Sequence, residues 1–234
     1  VSQRLSPLKI KQSLDTVIQQ AILTEPLLAK RLRDLKKWIA TKKDGLLMSK
    51  VQVLDLLTEI ILDSELWLNL IQLSIDERQQ VLDEELSSAE KFWIDVLFPS
   101  WFRENDPHSP IWKQKIMAGE FNQNDVFLIN YLQQDLKELG GDSLWRYILD
   151  LSMATDLVVV GNQKLPICIQ LTTLAGEGLT KKKENWQNIQ AYWNIKRALL
   201  VSYYPKGLCY KSLAKIILND SDTLPAICYI KRSV

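Results

Sequence analysis

The residues best placed to do chemistry lie close together in the C-terminal third of the chain. Asp156 precedes a short β-branched run, Leu157-Val158-Val159-Val160. After the turn Gly161-Asn162-Gln163-Lys164 comes a second apolar run, Leu165 to Thr173, which carries Gln170 and Thr172 near its end. Side chains alternate faces along a strand, so Gln170 and Thr172 point the same way. Pairing of the two runs in a hairpin brings them toward Asp156 at one end of a sheet. A carboxylate, an amide and a hydroxyl therefore converge. Lys181, Lys182 and Lys183 follow, and then Trp186, Tyr192, Trp193, Lys196 and Arg197. Cations interleaved with aromatics suit a helix that contacts the phosphates of a nucleic acid. The competing reading is structural. DLVVV and ICIQL fit any buried hairpin, an Asp before a strand is often a turn residue, and a Gln in an apolar strand is often a satisfied core amide. Trp186, Ile189, Trp193 and Arg197, at spacings of three, four and four, make a core-facing stripe.

The elements that must position these residues follow from periodicity. Apolar positions at helical spacing predict helices from about Pro7 to Leu23, from Glu25 to Thr41 and from Ser49 to Leu73. Lys43-Asp44-Gly45 is expected to stop the second of these. Ser74-Ile75-Asp76-Glu77 reads as a new N-cap with acids in the first turn, and its helix is expected to reach about Leu97. Pro99 to Pro110 carries loop signals and is taken as a boundary. A further amphipathic helix spans Asn124 to Leu139, ended by Gly140-Gly141. Asp142-Ser143 is expected to cap the next helix, up to about Met153. After the hairpin, a basic helix is expected from about Lys181 to Lys196, which would place three lysines at the positive helix end, where the dipole disfavours them. A third strand is read over Arg197 to Tyr204, a short helix over Tyr210 to Leu218 and a last strand over Ala226 to Ile230. The expected class is a mixture of α+β and α/β: a helical region over residues 1–100, then a small α/β core with a mixed sheet over residues 101–234.

Composition narrows the function classes. The 234 residues are 47% hydrophobic and 24% charged, ordinary for a globular chain large enough to bury a core. The net charge of +1 hides an asymmetry: acids outnumber bases from Asp55 to Asp106, and the balance reverses from Glu177 onward. A second basic cluster, Lys30, Arg31, Arg33, Lys36 and Lys37, lies on the second helix as a nucleic-acid contact or a solvated face. The three cysteines, Cys168, Cys209 and Cys228, form no CxxC pair. That argues against a disulfide scaffold or zinc site and predicts a reducing, cytoplasmic setting. His108 is the one histidine, so a multi-His metal site or a Ser-His-Asp triad would have to be built on it alone; it is read as a surface residue. Trp93, Trp101 and Trp112, which flank its loop, are read as core anchors. No run of 18 uncharged apolar residues exists, so no transmembrane helix is expected. The opening VSQRLSPLKIKQS lacks an apolar h-region and an initiator Met, as expected of a processed or partial chain without a signal peptide.

The order helix, Asp-led hairpin, basic helix, strand over about Asn124 to Tyr204 resembles the PD-(D/E)XK nuclease superfamily, whose fold is restriction-endonuclease-like. That family sets an Asp at the start of one hairpin strand and an (E/Q)-x-K pair on the next. Asp156 matches the Asp, and Gln170-Leu171-Thr172 falls where (E/Q)-x-K belongs. The resemblance implies Asp156, Gln170, Thr172 and Lys183 as catalytic positions, with Asp156 and Gln170 as ligands of Mg²⁺ or Mn²⁺. Such a metal takes hard oxygen ligands, activates water and offsets charge on the scissile phosphate. Thr172 stands where the family has Lys, and a hydroxyl carries no positive charge. The family sometimes moves that Lys to the following helix, where Lys181, Lys182 and Lys183 stand.

The resemblance implies a nuclease-like protein acting on DNA or RNA, with Lys181, Lys182, Lys183, Lys196 and Arg197 as nucleic-acid contacts. Two alternatives stay open. One is a nuclease-fold protein without catalysis or cofactor that binds nucleic acid or protein. The other is a helical interaction protein whose partner is another protein.

Overall fold

The computed structural model describes residues 5–41, 50–118, 124–206 and 209–234. The fold is a mixed α+β one, mostly helical, with a five-stranded mixed sheet in the C-terminal part. Two compact units divide it: Val1–Leu86 with Ile94–Phe121, and Ser87–Trp93 with Asn122–Val234.

The first unit is helical. Helices α1 (Pro7–Thr24), α2 (Pro26–Ala40) and α3 (Lys50–Leu70) pack together. Ser6 caps α1 through Lys9 N–H, and Pro7 and Pro26 open their helices, where the missing N–H costs nothing. The expected stop at Lys43-Asp44-Gly45 lies outside the described residues; α2 itself ends at Ala40. The single helix expected over residues 74–97 is broken. Helix α4 (Ile75–Glu84) starts with a complete capping box between Ser74 and Glu77, and a second box, Ser87 with Glu90, opens α5 (Ser88–Phe92), which belongs to the second unit. A π-helical turn, Trp93–Leu97, leads into α6 (Phe98–Arg103). Helix α7 (Ser109–Ala118) follows, so the Pro99 to Pro110 segment expected as a boundary lies inside the first unit and is largely helical. Trp93, Trp101 and Trp112 are buried, as their role as anchors requires.

The second unit holds the sheet. After α8 (Asn124–Glu138) come β1 (Asp142–Leu144), α9 (Tyr147–Met153), β2 (Leu157–Val160), β3 (Pro166–Thr172), α10 (Gly176–Tyr192), β4 (Arg197–Ser202), α11 (Tyr210–Thr223) and β5 (Cys228–Ser233). Strands lie in sequence order. The pairs β1–β2 and β2–β3 are antiparallel; β3–β4 and β4–β5 are parallel, each joined through a crossover helix as parallel pairs require.

Period-two alternation splits the strands between two faces. Leu157, Val159, Ile167, Ile169, Leu171, Leu199 and Val201 form one core with α8 and α11. Val158, Cys168, Gln170, Ala198 and Leu200 take the opposite face. There Gln190 of α10 donates to Met153 O, and Trp193 donates through Nε1 to Ser152 O.

Asp142-Ser143 does not cap the following helix. These residues form β1, and the Asp142 carboxylate accepts instead from Ala89 N–H, in the first turn of α5.

The cysteines show how far burial divides like groups. Cys168 is fully enclosed, and burial pushes its thiol up to about 12, partly opposed by the Thr155 hydroxyl. Cys209 is exposed, and hydrogen bonds from the Ser212 side chain, then its backbone, hold its thiol below the ordinary value. Thiolate is the reactive form. Iodoacetamide at neutral pH is expected to label Cys209 in the folded protein and to reach Cys168 only after denaturation. Peptide mapping checks this, and equal labelling of both would contradict the enclosed thiol.

Candidate functional site

The site is built where β2 begins and β3 ends. Asp156 N–H donates to Ile169 O at 2.7 Å, which starts the hairpin ladder. The Asp156 carboxylate then reaches across: Oδ2 accepts from Leu171 N–H at 2.6 Å and from Gln170 Nε2 at 2.7 Å. Gln170, which is buried, also donates through Nε2 to Leu171 O at 3.3 Å. Two residues on, Thr172 lies on the same face and pairs in register with Ser202 of β4. Its Oγ1 accepts from Leu174 N–H at 3.2 Å, and Ser202 Oγ donates to Leu174 O at 2.7 Å. The hairpin therefore brings Asp156 and Gln170 into direct contact, with Thr172 farther along the same strand. All three side chains make local hydrogen bonds.

The cations are arranged differently from expectation. Helix α10 starts at Gly176, not Lys181, so the lysines lie in its second and third turns, beyond the free N–H groups of the first turn. The dipole therefore gives no reason to find their placement unfavourable. Leu179, Trp186 and Gln190 are the buried positions of α10. Lys183 follows Leu179 by four and is half-buried with Lys182, whereas Lys181 is exposed. Among the described residues these three lysines form no ion pair. Lys196, just past the helix, donates to Asn194 Oδ1.

Arg197 turns inward. It is buried, and each of its five N–H donors has a backbone carbonyl: Nε to Pro225 O, Nη1 to Leu165 O and Pro166 O, and Nη2 to Ser221 O and Leu224 O. No donor is left for a phosphate. Its physical role is to tie the start of β3 to the end of α11, which corrects the expectation of a nucleic-acid contact.

Lys231, one of the basic residues that reverse the charge balance after Glu177, comes from β5. Parallel register puts Gln170, Leu200 and Lys231 in one row, hence on one face. Lys231 stands two strands from Gln170, about 10 Å away at Cα. With Thr173, Thr180, Ser202 and Tyr204 it lines a cleft of about 620 Å³ at the carboxyl ends of β3, β4 and β5. The last strand was expected over Ala226 to Ile230, but it runs from Cys228 to Ser233 and so includes Lys231. On the second helix, Lys36 pairs with Asp15, and Arg31 donates to Trp101 O.

No family model, characterised protein or solved structure matches the chain. Among the described residues no helix is long and apolar enough to cross a membrane.

Proposed function

We propose that the second unit is a nuclease-like nucleic-acid-processing core of the PD-(D/E)XK type, and that it engages nucleic acid through the carboxyl end of its sheet and the lysines of α10. One observation carries this reading. The Asp156–Gln170 contact sits at the end of a hairpin that leads into a lysine-bearing crossover helix and a parallel strand, the order the resemblance implies.

Mg²⁺ or Mn²⁺, the cofactor the resemblance implies, is not fitted by these residues. Gln170 turns its N–H donors, not an oxygen, toward Asp156, and Asp156 Oδ2 already accepts two hydrogen bonds. The geometry therefore favours the form without catalysis: a binding module that holds the phosphate backbone by charge.

Two measurements test this. Duplex DNA affinity is expected to fall steeply with salt, and Lys181→Ala/Lys182→Ala/Lys183→Ala is expected to reduce the log–log salt slope by about 2–3. An affinity unchanged in that variant would remove α10 from the interface. Calorimetric titration with Mn²⁺ is expected to give no saturable binding. Saturable binding that disappears in Asp156→Ala would instead favour the metal-dependent nuclease.

A further inference from the structure

The first unit contains a cavity of about 370 Å³ whose lining includes Arg31, Asp34, Trp101, Asp106, Trp112 and Lys113. This is within the usual size of a small-molecule site. Trp101 is fully buried, and its indole Nε1–H has no partner. Lys113 is half-buried, its ammonium 5.4 Å from the Trp112 ring centroid and 5.7 Å from that of Trp38. Among the described residues it forms no ion pair or hydrogen bond. Arg31 lies over the Trp101 ring at 5.3 Å and donates to Trp101 O and Glu104 O, which fixes a second cation at the same cavity.

The carboxylates at the cavity do not answer these donors. Asp106 is buried, with Oδ1 accepting from His108 N–H and Oδ2 from Trp112 Nε1–H, both at 3.0 Å. Asp34 is exposed. Burial, and then the Arg31 charge, hold the Lys113 ammonium below its ordinary range, with Asp34 and Asp106 opposing that shift. A half-buried ammonium and a neighbouring guanidinium thus share one space. An anion with hydrogen-bond acceptors would relieve the repulsion between the cations and satisfy the donors.

We propose that this cavity binds a small organic oxyanion, a phosphate or carboxylate carried on an apolar or planar body, with Lys113 and Arg31 on the oxyanion and Trp112 and Leu35 against the body. The site is separate from the sheet end of the second unit and does not depend on the reading proposed there.

The test titrates the full chain at low salt with inorganic phosphate, adenosine monophosphate and benzoate, read by calorimetry and tryptophan fluorescence. One of the two organic probes is expected to saturate a single site, and which one does so separates a phosphate from a carboxylate ligand. Lys113→Met is expected to weaken that binding by about tenfold or more. Lys113→Arg should retain most of it. Circular dichroism establishes that each variant is folded. Failure of all three probes to saturate at millimolar concentration would overturn the proposal. So would equal affinity in a folded Lys113→Met, or loss of binding only in the Lys181–Lys183 variant, which would move the ligand to the other unit.

Discussion

Replacing Arg197 with alanine is expected to lower the unfolding free energy by about 3 kcal/mol, the top of the range for hydrogen bonds to a charged group. The magnitude follows from what is left behind. Five carbonyls, from Leu165, Pro166, Ser221, Leu224 and Pro225, lose a charged donor, that of Ser221 in a buried place and the others in half-buried ones. Each unsatisfied buried acceptor costs more than the net worth of the hydrogen bond that satisfied it. Arg197→Lys is expected to recover little, because three tetrahedral donors cannot reproduce a planar fork that spans two chain segments. Urea unfolding of the two variants measures this. A midpoint within experimental scatter of the wild type would mean that the guanidinium is not the tie described.

Asp156→Ala has the second largest expected effect, and its sign separates two kinds of site. Asp156 Oδ2 serves both the Leu171 N–H and the Gln170 amide. If the carboxylate is a fastener at the open end of the hairpin, its loss should cost about 2–3 kcal/mol, the range for hydrogen bonds to a charged group. If it is instead a poised catalytic group, truncation should leave stability unchanged or raise it, since active sites are often strained at the expense of stability. The geometry predicts the loss. A double-mutant cycle with Gln170→Ala should give a coupling of about 0.5 kcal/mol or more for two side chains in contact. An additive cycle would mean that the contact contributes nothing.

The hairpin was legible because its chemistry is local. Two β-branched runs flank a Gly-containing turn, and the strands fall at Leu157–Val160 and Pro166–Thr172. The contact between Asp156 and Gln170 followed from the same alternation. Strand β1 was not legible. Asp and Ser before a helical stretch read as a cap, and only the Val158–Val160 edge across from Asp142–Leu144 turns those three residues into a strand. The start of α10 was hidden by Gly176-Glu177-Gly178, which reads as loop. Gly176 sits at φ +55, a conformation glycine takes without strain, and burial of Leu179 fixes the first turn against the sheet. For Arg197, charge alone suggested an outward partner. Its inward role depends on the end of α11 and the residue after it, which no nearby sequence could reveal. Lys231 likewise acquires meaning only through register across two parallel strands.

The excursion of Ser87–Trp93 into the second unit has a consequence for biosynthesis. The chain passes between the units at three points, Leu86 to Ser87, Trp93 to Ile94 and Phe121 to Asn122. A nascent chain released up to Phe121 holds the whole first unit but only one short helix of the second. In the folded chain the Asp142 carboxylate satisfies the Ala89 N–H of that helix. Genetic dissection at any single codon will therefore leave a fragment missing part of its own fold or burdened with part of the other, whereas co-expressed pieces split within the second unit have a route to complement one another.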